Sequence, residues 1–104
     1  MSDADIYIGD VVYLDLSKQE IDICFKFSQY YLYANAIGFN KETFRKYWIF
    51  YYLAYCKYIW DYCIDDFKEL VYELEKNNRI EDKKAVEVLK GIIDKIHKEV
   101  KNGK

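Results

Sequence analysis

Between Asn40 and Lys76 the chain runs without a glycine or a proline, and that stretch constrains the fold more than any other feature. Its periodicity predicts a long helix over 41–76, continuous or gently bent, with a break near 61–66 as the alternative. At about 100° per residue, one apolar stripe holds Ile49, Leu53, Cys56, Trp60, Cys63, Phe67, Leu70 and Leu74. A second stripe, about a third of a turn away, holds Phe44, Trp48, Tyr51, Tyr55, Tyr58 and Tyr62, spaced alternately four and three apart. Beyond Tyr62 the same angular position carries Asp65, Glu69 and Glu73, with Asp61 one turn earlier.

A helix with two stripes needs two covering layers, or else it leaves aromatic surface in water. Tyrosine suits such a face, because the ring buries well while the hydroxyl seeks water or a partner. The expected partner-binding residues are therefore Trp48, Tyr51, Tyr55, Tyr58 and Tyr62, flanked by the carboxylates Asp61, Asp65, Glu69 and Glu73. Length points the same way. An unbroken helix here would span roughly 54 Å, whereas a compact domain of this size has a radius of gyration near 13 Å. The rod must either break into a bundle or belong to an elongated, paired molecule.

The flanking segments supply the rest of an expected single domain over 1–104. Residues 5–16 alternate through Ile6, Tyr7 and Ile8, then Gly9-Asp10, then Val11, Val12, Tyr13 and Leu14, which predicts a short N-terminal β-hairpin. Ser17 with Glu20 forms a capping box, so a helix is expected over 18–37 with Gly38 as its C′ residue. Asn40 caps the long helix. Asn78 with Glu81 resembles another capping box, ahead of a last helix over 80–101 whose stripe is Val86, Leu89, Ile93, Ile96 and Val100. The fold class is thus mainly α: an antiparallel helical bundle with one long central helix and a short hairpin.

Chemistry finds little support. The four glycines do not cluster, so a phosphate cradle is not expected. No serine is flanked by glycines as a nucleophile turn requires, and the cysteines show no basic partner that would activate them. Asp61, Asp65 and Glu69 form a helical carboxylate row with no turn to wrap a cation. His97 has only Asp94 beside it and lacks the second pair that a bundle metal site requires. No catalytic residue, metal or cofactor is therefore expected. The three cysteines fall in expected helices as buried thiols, with Cys56 and Cys63 about 10 Å apart, too far to bridge. The apolar run from Tyr47 to Trp60 is too short to span a membrane, and the acidic start does not resemble a signal peptide; a cytoplasmic location is expected.

Charge alternates by blocks, negative over 1–24 and 61–78 and positive over 25–60 and 79–104. Together these features predict a non-enzymatic protein-interaction protein, homodimeric through the aromatic faces. The alternative is a small nucleic-acid-binding regulator that stacks bases on its rings near Arg45, Lys46 and Lys57. With twelve tyrosines, no proline and far more lysine than arginine, the composition is similar to that of accessory proteins of viruses and mobile elements. That likeness implies an inhibitor of a host defence or nucleic-acid-handling machine, working in the host cytoplasm.

Overall fold

Local signals set the first helix. In a computed structural model describing residues 10–77 and 83–102, the Ser17 hydroxyl accepts the Glu20 backbone N–H at 3.2 Å and the Glu20 carboxylate accepts the Ser17 N–H at 2.8 Å. Helix α1 follows over Lys18–Ile37, as the capping box predicts. It ends at Gly38, whose N–H reaches the Ala34 carbonyl at 3.3 Å. Gly38 is extended there, so glycine's access to left-handed backbone is not used at this turn. The Asn40 side chain then accepts the N–H groups of Glu42 and Thr43 at 2.9 and 3.0 Å, starting helix α2 over Lys41–Cys56. Phe25 meets Tyr55 and Tyr31 meets Phe50, so α1 and α2 run antiparallel.

The continuous helix expected over 41–76 does not form. Lys57 turns left-handed at φ 59°, ψ 36°, and strand β2 follows over Tyr58–Trp60. A short 3-10 turn, Asp61–Cys63, then leads into helix α3, Ile64–Lys76. The break therefore comes upstream of the 61–66 alternative. Its physical reason is Ile59. Extending α2 by about 100° per residue would place Ile59 on the outer face with Trp48 and Tyr52; the turn instead drives it into the core, where it is fully buried.

Backbone pairing supports the break. Strand β1, Val11–Tyr13, lies antiparallel to β2 with Val12 opposite Ile59 and Tyr13 opposite Tyr58. Leu14 N–H donates to the Lys57 carbonyl at 2.9 Å, and Asp61 N–H to the Asp10 carbonyl at 2.8 Å. The short antiparallel pair near the N-terminus is present, but the described strand pairs with the middle of the chain. Gly9 and the strand expected before it lie outside the described residues.

Helix α4, Lys83–Asn102, packs on α1 and α3; residues 80–82 and the expected Asn78–Glu81 box lie outside the described residues. Its buried face is Ala85, Val86, Leu89, Ile92 and Ile96; the expected Ile93 is partly buried against the same core, and Val100 is exposed. The core gathers Phe50, Leu53, Phe67, Val71, Leu89 and Ile96 with Cys24 and Ser28, the Ser28 hydroxyl donating to the Phe25 carbonyl at 2.7 Å. Folding the rod in two gives extents of 45 × 33 × 22 Å and a radius of gyration of 14.1 Å.

Candidate functional site

Helix α2 presents opposite chemistries on its two sides. Ile49, Phe50, Leu53 and Ala54 are buried against α1 and α3. By helical geometry Phe44, Trp48, Tyr51 and Tyr55 fall on the far side, away from that core. Tyr55 is 54% exposed, and Trp48 and Tyr51 are half-buried. Phe44 meets Trp48 at 5.8 Å, Trp48 meets Tyr51 at 5.2 Å, and Tyr51 meets Tyr55 at 4.6 Å. These spacings lie within the attractive range for offset and edge-to-face ring pairs.

The helix break does not interrupt this surface. Tyr52 stacks on Tyr58 at 5.5 Å, Tyr58 touches both Tyr13 and Trp60, and Trp60 stacks on Tyr62 at 6.0 Å. Strand β2 thus hands the aromatic row from α2 to the 3-10 turn. All five expected rings, Trp48, Tyr51, Tyr55, Tyr58 and Tyr62, belong to one network of contacts. Sequence reasoning missed Tyr52, Trp60 and Tyr13 as members. Trp60 was expected in the core stripe; it is half-buried and packs against the edge of the core, while its strand neighbour Ile59 is fully buried. The two-residue alternation of Tyr58-Ile59-Trp60 was the available signal.

Between α2 and the 3-10 turn lies an open cleft of about 380 Å³, lined by Trp48, Tyr52, Trp60 and Tyr62 with Ile49, Ile59, Cys63 and Arg45. Tyr52 lies 16° from the plane of Tyr58, which stands 77° from Trp60, so the Tyr52 and Trp60 walls meet steeply. Burial, then neighbouring Asp66, pushes the Cys63 thiol up, while Arg45 opposes them and Asp61 adds to the rise. Burial likewise raises the Tyr62 hydroxyl.

The acidic row is divided by the fold. Asp65 and Glu69 are exposed on α3, and Asp61 lies in the 3-10 turn. Glu73 instead pairs with Lys46 at 3.4 Å, and Asp66 with Arg45 at 2.9 Å. Lys46 also lies 5.7 Å over the Tyr31 ring. Part of the row has a structural use, since Asp65 and Asp66 in the first turn of α3 complement its dipole. Among the described residues no group of three His, Cys, Asp or Glu side chains converges as a metal site.

The cysteines separate as well. Cys24 is fully buried, with its thiol pushed up to about 12 by burial and then by Glu20. Cys63 is buried, but Cys56 is exposed, a correction to its expected place in the core stripe, because the chain turns away at Lys57. All three are free thiols.

Compared with protein-family models, curated proteins and solved structures, the chain matches none. Among the described residues no helix is long and apolar enough to cross a membrane.

Proposed function

We propose that this chain is a non-enzymatic protein-interaction protein that docks a basic protein partner on the outer aromatic face of α2 and the adjoining acidic helix α3. One observation carries the reading: a continuous network of tyrosine and tryptophan rings runs along the side of α2 opposite its buried face and on through β2. Aromatic residues are enriched where proteins meet, because they bury large area at low conformational cost. Asp65 and Glu69 beside that face favour a partner of opposite charge. The compositional likeness to accessory proteins of viruses and mobile elements extends the proposal to inhibition of a host defence or nucleic-acid-handling machine in the host cytoplasm.

The test compares wild-type chain with a Tyr51→Glu/Tyr55→Glu variant as immobilised baits in host-cell extract. The expected result is a basic protein retained by the wild type and lost by the variant at unchanged helical content. An identical set of retained proteins overturns the reading. Single-stranded nucleic acid is the alternative occupant, and the pairing of Arg45 and Lys46 with Asp66 and Glu73 weighs against it, since a phosphate would have to displace a carboxylate from each.

A second observation favours self-association as well. At the α1–α2 turn Ile37 is 91% exposed and Phe39 70%, with Tyr33 exposed beside them. A second copy covering this end would form the homodimer, and Ile37→Asp would then shift the chain to monomer in light scattering. Wild-type chain that is monomeric at roughly 100 μM, well above a micromolar dissociation constant, rules the homodimer out.

A further inference from the structure

We infer that two copies of the chain pair through the outer stripe of α1, helix against helix and antiparallel, about a two-fold axis midway between Tyr33 and Ala34; the inference rests on the self-association reading above. The longest uncharged run in the chain leads there, for no side chain from Phe27 to Asn40 carries a charge. Within that run Phe27, Ser28 and Tyr31 are buried in the core. Tyr30, Tyr33 and Ile37, spaced three and four apart on another side of the helix, are each more than half exposed. Phe39, equally exposed, extends the stripe past the end of α1.

The absence of charge points to a second copy as the occupant. In a two-fold contact a patch meets itself, so a charge at its centre faces a like charge. The rings of α2 have Asp65 and Glu69 beside them, whereas this stripe has no charge with which to repel its copy. Interface centres are in general poor in charge and rich in aromatic side chains. Area agrees. At about 150–250 Å² for a whole aromatic side chain, the exposed parts of these four side chains come to roughly 500 Å², the larger part of the ~800 Å² that each partner gives to a standard interface. Lys26 continues the stripe one turn before Tyr30, so parallel pairing would set it against its own counterpart. Antiparallel pairing separates the two lysines and opposes the helix dipoles. The uncharged run is centred between Tyr33 and Ala34, which puts Tyr30 of one copy across from Ile37 of the other.

Cross-linking tests the pairing and its direction. Full-length chain carrying Cys56→Ser, which removes the exposed thiol and leaves the buried Cys24 and Cys63, is made with Tyr30→Cys or with Ile37→Cys, both at exposed positions. The two variants are mixed at roughly 100 μM, treated with a short bismaleimide and weighed by mass spectrometry. The expected product is the mixed dimer, in excess of each self-linked product by about fivefold or more. Tyr33→Glu sets two carboxylates at the axis and weakens association by about tenfold or more at unchanged helical content. Self-linked products equal to or above the mixed one, or a Tyr33→Glu dimer as tight as wild type, overturn this pairing and leave a homodimer formed by another face. Wild-type chain that stays monomeric at the same concentration overturns the pairing and the homodimer together. Capture of a basic partner through Tyr51 and Tyr55 is measured separately, so that reading stands or falls by itself.

Discussion

The Leu14 N–H donates to the Lys57 carbonyl at 2.9 Å, joining the end of the N-terminal strand to the one left-handed non-glycine residue among those described. That bond fixes where the central rod divides. Left-handed backbone costs an L-residue roughly 1–2 kcal/mol, and glycine escapes most of it. Lys57→Gly should therefore stabilise the fold by about 0.5–1 kcal/mol, after allowing for glycine's greater unfolded entropy. Urea denaturation followed by circular dichroism checks this; a midpoint below wild type would show that Lys57 is not strained.

Glu20 closes the capping box and also accepts Lys95 Nζ at 2.6 Å, with its side chain only 11% exposed. Lys95 donates to the Asp15 carbonyl as well, at 2.7 Å, so one ammonium ties α4 to the start of α1. Lys95→Met leaves the Glu20 carboxylate nearly buried without its cation. Because Lys95 itself is partly exposed, the expected loss is about 1–3 kcal/mol, less than for a fully buried pair. Glu20→Gln in the same background should recover part of it, and a double-mutant cycle by urea titration measures the coupling.

Stability should fall on the alkaline side. Burial raises Cys24 from 9.0 to about 12, and Tyr31, also mainly by burial, from 10.0 to about 12. Both groups keep their protons longer folded than unfolded. Their contribution is thus intact below pH 9 and is lost as pH climbs through 9 to 12, where the unfolded chain ionises first. Urea midpoints should drop between about pH 8 and pH 10.5, and Cys24→Ala should flatten that drop. An equal slope in the variant would remove Cys24 from the account.

The two sides of α2 should respond differently to truncation. Phe50 is fully buried and touches Phe27, Tyr31 and Phe67, so Phe50→Ala should cost about 3–5 kcal/mol. Tyr55 is more than half exposed, and Tyr55→Ala should cost less than about 1 kcal/mol. Comparable losses in both variants would mean that the aromatic face is there to hold the fold together.

Signals that act over a few residues were legible. Ser17 with Glu20 and the Asn40 cap placed two helix starts correctly, because each satisfies backbone donors within its own first turn. Trp48, Tyr51 and Tyr55 could be assigned to one outward face for a similar reason, since a regular helix fixes the angle between neighbours. Cys56 was misplaced because it ends α2 and the chain turns away at Lys57, which leaves its side uncovered; Trp60, in β2 beyond the break, reaches only the edge of the core. Glu73 looked like a member of an open acidic row; its partner Lys46 lies on another helix, as Arg45 does from Asp66, and only packing brings each pair together.

By itself, then, the sequence determined a mainly α chain, its first two helix starts and a ring-bearing side of α2, all consequences of spacing along a local helix. Tertiary structure alone decided that the rod divides at Lys57, since the force behind it is the burial of Ile59 and the pairing of β2 with a strand far away in sequence. The alternation of Tyr58-Ile59-Trp60 hints at a strand, but nothing near Lys57 names Val11–Tyr13 as its partner. The cleft between α2 and the 3-10 turn exists only because of it.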